Sequence, residues 1–339
     1  MFRSLAGTAV GLIFLVLVWR ALGRTISWRG VHVQALAIVL AVAGALGFLA
    51  ARAWRYTVLL PQHQPGARRL LGVTSVSWAI GLLVPGPSAD AAFIGLARAN
   101  LGVSAARATG VSLVARLLDV VSLGVVAVVA AGLSSVAEPM PVVISAGLVA
   151  AATGLMLVLS LLAGPRRVVL RRLARVPRLT TWMERTDRNL EDLSGRPRAL
   201  RLVASTVLCR VATAVEYAAL FSLVDLHLSF WQVWFALAIR SFFIAIPIQG
   251  IAGIGTSQAW WTAALVLEGV PAAQAVPASV TLQVIDLVVG LAVSALVAAA
   301  TVRAWRRPSA GARAEEAEQA VTIAGAAPGT GYPTPARSQ

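Results

Sequence analysis

The sequence predicts an all-α, polytopic membrane protein: a helix bundle built from two inverted repeats, each containing a broken, re-entrant hairpin. Three observations lead there. Of 339 residues 58% are hydrophobic and 13% charged, and the mean hydropathy of +0.80 exceeds what a water-soluble surface carries. Several apolar runs reach the roughly 20 residues that a spanning helix needs. A stretch about a third of the way along the chain recurs near its end.

Six runs are long enough to span: about 5–22, 32–52, 108–133, 141–163, 201–224 and 274–300. Arg3 followed by the first of these imitates a signal peptide. No small-x-small cleavage site precedes Arg20 and Arg24, so the sequence predicts a retained helix. Two further apolar regions, about 70–100 and 230–268, are interrupted, by Pro85, Gly86 and Pro87 in one and by Pro247, Gly250, Gly253 and Gly255 in the other. Proline removes a backbone donor and glycine loosens a helix, so each region is expected as two shorter pieces. These are re-entrant hairpins or pairs of full spans, which give the same parity.

Charge fixes the orientation. The chain has 29 basic and 14 acidic residues, a net charge of +15, and every strong cation is arginine. The arginines sit between apolar runs and not on a soluble module, which points to topology and anionic lipid and away from nucleic acid. Arg52, Arg55, Arg68 and Arg69 follow the second run, eleven arginines lie in 164–201, and Arg303, Arg306 and Arg307 follow the last. These connections are expected in the cytoplasm, and the arginine-free ones around Glu138, Asp225 and Glu268 outside. Arg20, Arg24 and Arg29, between the first two runs, run against this placement of the first helix. The first hairpin would then open to the cytoplasm and the second outward, in a multi-pass protein of the inner (cytoplasmic) membrane.

Residues 1–302 are expected to form the transmembrane domain, with repeat halves about 32–133 and 201–300. Segment 164–201 interleaves Leu170, Leu173, Trp182, Met183, Leu190 and Leu193 with arginines. It fits an interfacial helix, a docking place for a soluble partner, or a solvated basic loop. Residues 303–339 lack apolar periodicity and are expected as a disordered cytoplasmic tail. Cys209 is the single cysteine, and His32, His63 and His227 have no metal-ligand spacing, so neither a disulfide nor a metal site is expected, and no cofactor.

The repeat is read from Gly102-Val103-Ser104-Ala105-Ala106, which recurs as Gly269-Val270-Pro271-Ala272-Ala273, an offset of 269 minus 102, or 167. Ser112 then meets Ser279, and Asp119 meets Asp286. Inverted repeats with broken helices meeting at the midplane are a transporter architecture; an old duplication without a transport role is the alternative.

Charged groups within a bilayer cost roughly 2.5–3.5 kcal/mol each on insertion scales, so those present need partners or a polar cavity. Arg116 and Asp119, three apart, are spaced to pair across a turn. Gln283 stands where Arg116 would repeat, which leaves Asp286 to find a cation elsewhere, with Arg240 the candidate. Asp90 is placed to cap a short helix. Gln249 and Gln258 flank the second break, where amides serve a phosphate or unwound backbone. Glu216 is a further intramembrane acid, open to a cation-coupling role that no sequence neighbour supports, and Trp260 and Trp261 fit an interface anchor. The expected polar cavity gathers Asp90, Arg116, Asp119, Arg240, Gln249, Gln258, Gln283 and Asp286.

The motif Leu83-Val84-Pro85-Gly86-Pro87-Ser88-Ala89-Asp90 resembles Leu-Leu-Pro-Gly-Arg-x-Gly-Glu of the lysylphosphatidylglycerol synthase/flippase transmembrane-domain family. Ala115-Arg116-Leu117-Leu118-Asp119 is similar to its Glu-Arg-Leu-Leu-Asp, and Gly253-Ile254-Gly255-Thr256-Ser257-Gln258 to its Gly-Leu-Gly-x-x-Glu. The likeness covers about residues 5–302. Pro87 replaces the family arginine, Ala89 its glycine, Asp90 its first glutamate and Gln258 its second. The resemblance implies a flippase-like carrier, not an enzyme, whose partners are membrane lipids with anionic or phosphate-bearing head groups. No aminoacyl-transferase domain follows residue 302, so aminoacylation of lipid is not expected from this chain. A membrane subunit of an enzyme acting on a lipid-linked substrate, and a non-transporting adaptor, are the competing functions.

Overall fold

The computed structural model describes residues 34–60, 66–84, 87–133, 147, 196–244 and 256–305. The described residues form eight helices: α1 (Ala35–Leu59), α2 (Ala67–Leu83), α3 (Ser88–Leu101), α4 (Ala105–Leu133), α5 (Arg196–Leu223), α6 (Phe230–Ile244), α7 (Thr256–Leu267) and α8 (Ala272–Trp305). The four expected spans among these residues are α1, α4, α5 and α8, each long and apolar enough to cross a membrane. The interrupted regions are two shorter helices each, α2 with α3 and α6 with α7. The spans expected at 5–22 and 141–163, the breaks at Pro85, Gly86, Pro247 and Gly250 to Gly255, most of segment 164–201 and the tail from 306 lie outside the described residues.

Element ends follow local chemistry. Helix α3 stops at Gly102, whose φ of 66° is a left-handed position that glycine occupies without Cβ strain. Ser104 Oγ then accepts from the Arg107 backbone N–H at the start of α4. The turn after α7 repeats this device at Gly269, with φ 87°, and α8 follows Pro271. Ser229 and Gln232 form a reciprocal capping box on α6: the Ser229 N–H donates to Gln232 Oε1 and the Gln232 N–H to Ser229 Oγ.

Helices α1 and α5 form the most extensive pair. They cross where Gly44 faces Ala212 and Glu216, so close that a Cβ on Gly44 would lie 2.7 Å from the Glu216 backbone nitrogen and 2.8 Å from the Ala212 carbonyl oxygen. Small residues let membrane helices approach to this distance, where dispersion and not water exclusion holds them. Around this pair, α2 packs on α3 and α8, α6 on α7 and α4, α3 on α4, and α7 on α8.

Of the four apolar clusters among the described residues, two are large. One joins Tyr56, Leu70, Phe93, Ala97, Val111 and Val114, drawn from α1 to α4. The other joins Tyr217, Phe221, Phe235, Ile239, Trp261 and Leu282 of α5 to α8 with Ala37 and Ala41 of α1 and Ala130 of α4. Leu36, Leu200, Val203 and Leu296 stay exposed on the bundle's outside, as lipid-facing side chains do.

Candidate functional site: two buried charge centres

Helix α1 continues past the expected end of its run, to Leu59, which carries Arg52 and Arg55 on the helix and not in a loop. Arg55 is fully buried. Its Nη1 and Nη2 donate to Asp119 Oδ1 and Oδ2 of α4 at 2.8 and 3.1 Å, a bidentate fork. Arg210 of α5 donates from Nη2 to Asp119 Oδ1 at 2.6 Å and from Nε to Ser122 Oγ at 2.9 Å. Arg52 lies over the rings of Phe48, Tyr56 and Trp78, 5.5 to 5.9 Å from their centroids, and its Nε donates to Tyr56 Oη. One carboxylate is therefore ringed by guanidinium groups, and the centre carries surplus positive charge. A cavity of about 10 Å³ between α4, α5 and α6 borders Arg210, Thr213 and Ser241, room for about one water.

The pairing of Arg116 with Asp119 expected from their spacing does not form. Both lie on α4, but the Arg116 Nε donates to Asp90 Oδ2 of α3. Ser112 Oγ donates to the other Asp90 oxygen at 2.6 Å. Asp90 is thus no helix cap: it stands in the first turn of α3, after Pro87 at the N-cap, and its side chain crosses to α4. A cation on another helix outcompetes one a turn away because α1 and α5 point their guanidinium groups straight at Asp119.

The second centre is built on Asp286 of α8. Tyr217 Oη of α5 donates to Asp286 Oδ2 at 2.7 Å, and Arg240 Nη2 of α6 lies 3.5 Å from the same oxygen, the partner expected from sequence. Arg240 also lies over the rings of Tyr217 and Trp261, 5.3 and 4.9 Å from their centroids. Trp261 is fully buried here, and does not sit at an interface as expected. Glu216, one residue before Tyr217, is buried as well. This centre has two carboxylates against one guanidinium, the opposite balance to the first.

The remaining expected residues are placed as follows. Ser257 Oγ of α7 donates to Gln283 Oε1 of α8 at 2.6 Å. These positions lie 167 beyond Asp90 and Arg116, so one ion pair between short and long helix is matched by one neutral hydrogen bond. Gln258 lies half-buried on α7, and Gln249 is outside the described residues. Among the described residues of the expected cavity, Asp90 pairs with Arg116, Asp286 with Arg240, and Gln283 accepts from Ser257, while Asp119 is bound by Arg55 and Arg210. Outside the spans, Glu268 in the α7–α8 turn is buried, and burial pushes its carboxyl up to about 7 while Gln232 pulls in the opposite direction.

Arg52, Arg55, Arg210, Tyr217 and Ser112 were not singled out as site residues by their sequence. Arg210 carries a legible signal, a cation in the middle of an apolar run, and Tyr217 carries none.

Residues 4–294 match the family described as lysylphosphatidylglycerol synthase TM region. The chain belongs to this family. Comparison with curated proteins and with solved structures finds no match. In this lysylphosphatidylglycerol synthase TM-region chain the matched residues include both charge centres and both interrupted regions.

Proposed function

We propose that this chain is a lipid carrier of the cytoplasmic membrane, not an enzyme, and moves a phosphate-bearing amphipathic lipid or lipid-linked intermediate between leaflets. The observation that carries the reading is the cationic centre on Asp119. Arg55 and Arg210 share that single carboxylate from two different spans, with Arg52 beside them. Burying such charge is costly and is kept where an anion is to be received. A head-group phosphate meeting these arginines would cross while its acyl chains stay in lipid.

The packing supports a two-fold arrangement of the halves. Exchanging α1 with α5, α2 with α6, α3 with α7 and α4 with α8 turns each principal packing pair into another principal pair. Both halves carry the left-handed glycine, Gly102 and Gly269, at the same place. With the arginine distribution, these features favour inverted repeats whose hairpins enter from opposite faces.

The test is leaflet translocation in proteoliposomes containing the full chain and a fluorescently labelled anionic phospholipid. The reading expects the label to change leaflet faster than in protein-free vesicles, and about tenfold slower with Arg210→Gln, the loss of one charge-assisted contact. Chemical alteration of the lipid would instead indicate an enzyme. Neither movement nor alteration would indicate an adaptor, and either result overturns the proposal.

A further inference from the structure

The centre on Asp286 holds a charge imbalance that the lipid pathway does not use. Glu216 and Asp286 are 7% and 6% exposed; Arg240 lies 3.5 Å from Asp286 Oδ2, and its charge also acts on Glu216 without a direct contact. Asp286 is served by the Tyr217 hydroxyl and Arg240, whereas Glu216 receives no hydrogen bond or ion pair among the described residues. Among the described residues no second cation contacts the pair; Arg107 stands at the start of α4, near the turn after α3. Helix α1 brings Gly44 against Glu216, and its own Arg52 and Arg55 belong to the Asp119 centre. Helix α7 brings the neutral Trp261, α6 brings Arg240, and α2 has arginines only in its first turn. On α4, Asp119 faces Arg55 and Arg210, and Arg116 faces Asp90.

Two buried carboxylates facing one guanidinium leave one negative charge unbalanced, and a buried unpaired ion is far costlier than a neutral acid. Two carboxyl groups sharing a site do not both ionise readily. We propose that Glu216 and Asp286 form a proton-binding site holding one proton between them, and that exchange of this proton with water is the step to which lipid movement is coupled. The proton comes from bulk water as hydronium, converts one carboxylate to its acid by forming one O–H bond, and returns the same way. Arg240 then balances the remaining carboxylate, and Glu216, which sits on the α1–α5 crossing, reports the proton to the helix pair at the centre of the bundle. The coupling rests on the carrier reading; the proton site does not.

Two measurements separate these. Infrared spectroscopy of the purified full chain across pH reads the protonated-carboxyl band, in a Glu268→Gln background because burial pushes the Glu268 carboxyl up to about 7. A protonated band persisting at neutral pH and reduced by Glu216→Gln or Asp286→Asn is the expected result. A parental protein with no such band, or a band that both variants leave intact, overturns the site, and the parental titration needs no variant to fold. In proteoliposomes, lipid movement is expected to change about fivefold or more between pH 6 and pH 8, and to become flat in Glu216→Gln. Lipid movement that is already pH-independent in the parent overturns the coupling while leaving the site standing. A protonated band without any lipid movement sinks the carrier reading alone, and a response to sodium in place of pH overturns the proton as ligand.

Discussion

At the scale of single residues, the energetic weight lies on Asp119, because one carboxylate satisfies guanidinium groups from two helices at once. Removing a partner from a buried pair leaves an uncompensated charge, which costs about 3–5 kcal/mol, far more than the pair contributes over an apolar substitute. Asp119→Asn strands Arg55 and Arg210 together and is expected to destabilise by that amount. Arg55→Met leaves Asp119 with Arg210 and is expected to cost less than half as much. Thermal unfolding in detergent checks the order; an Arg55 variant less stable than the Asp119 variant would mean that the fork, not the shared carboxylate, holds the centre. These roles were hidden in the sequence for a physical reason. Loop arginines and helix-end arginines look alike when the apolar run stops before them, so Arg52 and Arg55 read as topology signals until α1 continues to Leu59 and turns them inward. Spacing alone favoured Arg116 as the partner of Asp119, and only tertiary placement reverses it. By contrast Arg240 was legible as the partner of Asp286, since Gln283 left that carboxylate without a local cation.

At the scale of elements, the sequence was most informative where backbone chemistry leaves no choice. Each apolar run of spanning length among the described residues is a helix, and each proline or glycine break separates two short ones, because hydrocarbon tolerates no unpaired backbone donors. Boundaries were less legible: α5 begins at Arg196 and α8 ends at Trp305, both beyond the apolar runs that announced them, since arginine itself forms helix well. The α1–α5 crossing was not legible, since alanine and glycine are common along the whole chain and only the three-dimensional approach singles out Gly44. That approach yields a direct expectation. A Cβ at Gly44 meets backbone atoms of α5, which cannot rotate away, whereas at Gly66 nothing lies within 4 Å. Gly44→Leu is therefore expected to cost at least about 2–3 kcal/mol or to abolish folding, as overpacking does, and Gly66→Ala to be nearly neutral. Gly47→Ala, 3.3 Å from the Ala212 Cβ, belongs between them. Yield of monodisperse protein in detergent and its melting temperature rank the three. Equal behaviour of Gly44→Leu and Gly66→Ala would show that α1 and α5 do not cross as closely as described.

At the scale of the whole molecule, the two halves differ in charge while sharing packing. The α1–α4 half has surplus cations around Asp119, and the α5–α8 half has surplus carboxylates around Asp286, with Ser257 and Gln283 standing at the positions of Asp90 and Arg116. If the halves are inverted, the hairpins enter from opposite faces and the two centres serve opposite leaflets, which turns the charge difference into a direction across the membrane. That arrangement fixes sidedness. The turn before α2 would lie in the cytoplasm with the α3–α4 turn, and the α5–α6 and α7–α8 turns outside, as the arginine-free connections imply. Single cysteines introduced by Gly66→Cys and His227→Cys suit the test, because Gly66 has open space around it and the His227 side chain is three-quarters exposed. The buried native thiol is first removed with Cys209→Ser. In intact cells a membrane-impermeant maleimide is expected to label the cysteine at 227 and to reach the one at 66 only after the membrane is opened. Labelling of both from outside, or of neither, would place the two hairpins on the same face and remove the inversion on which the carrier reading draws, and labelling of 66 alone would reverse the sidedness argued from the arginines.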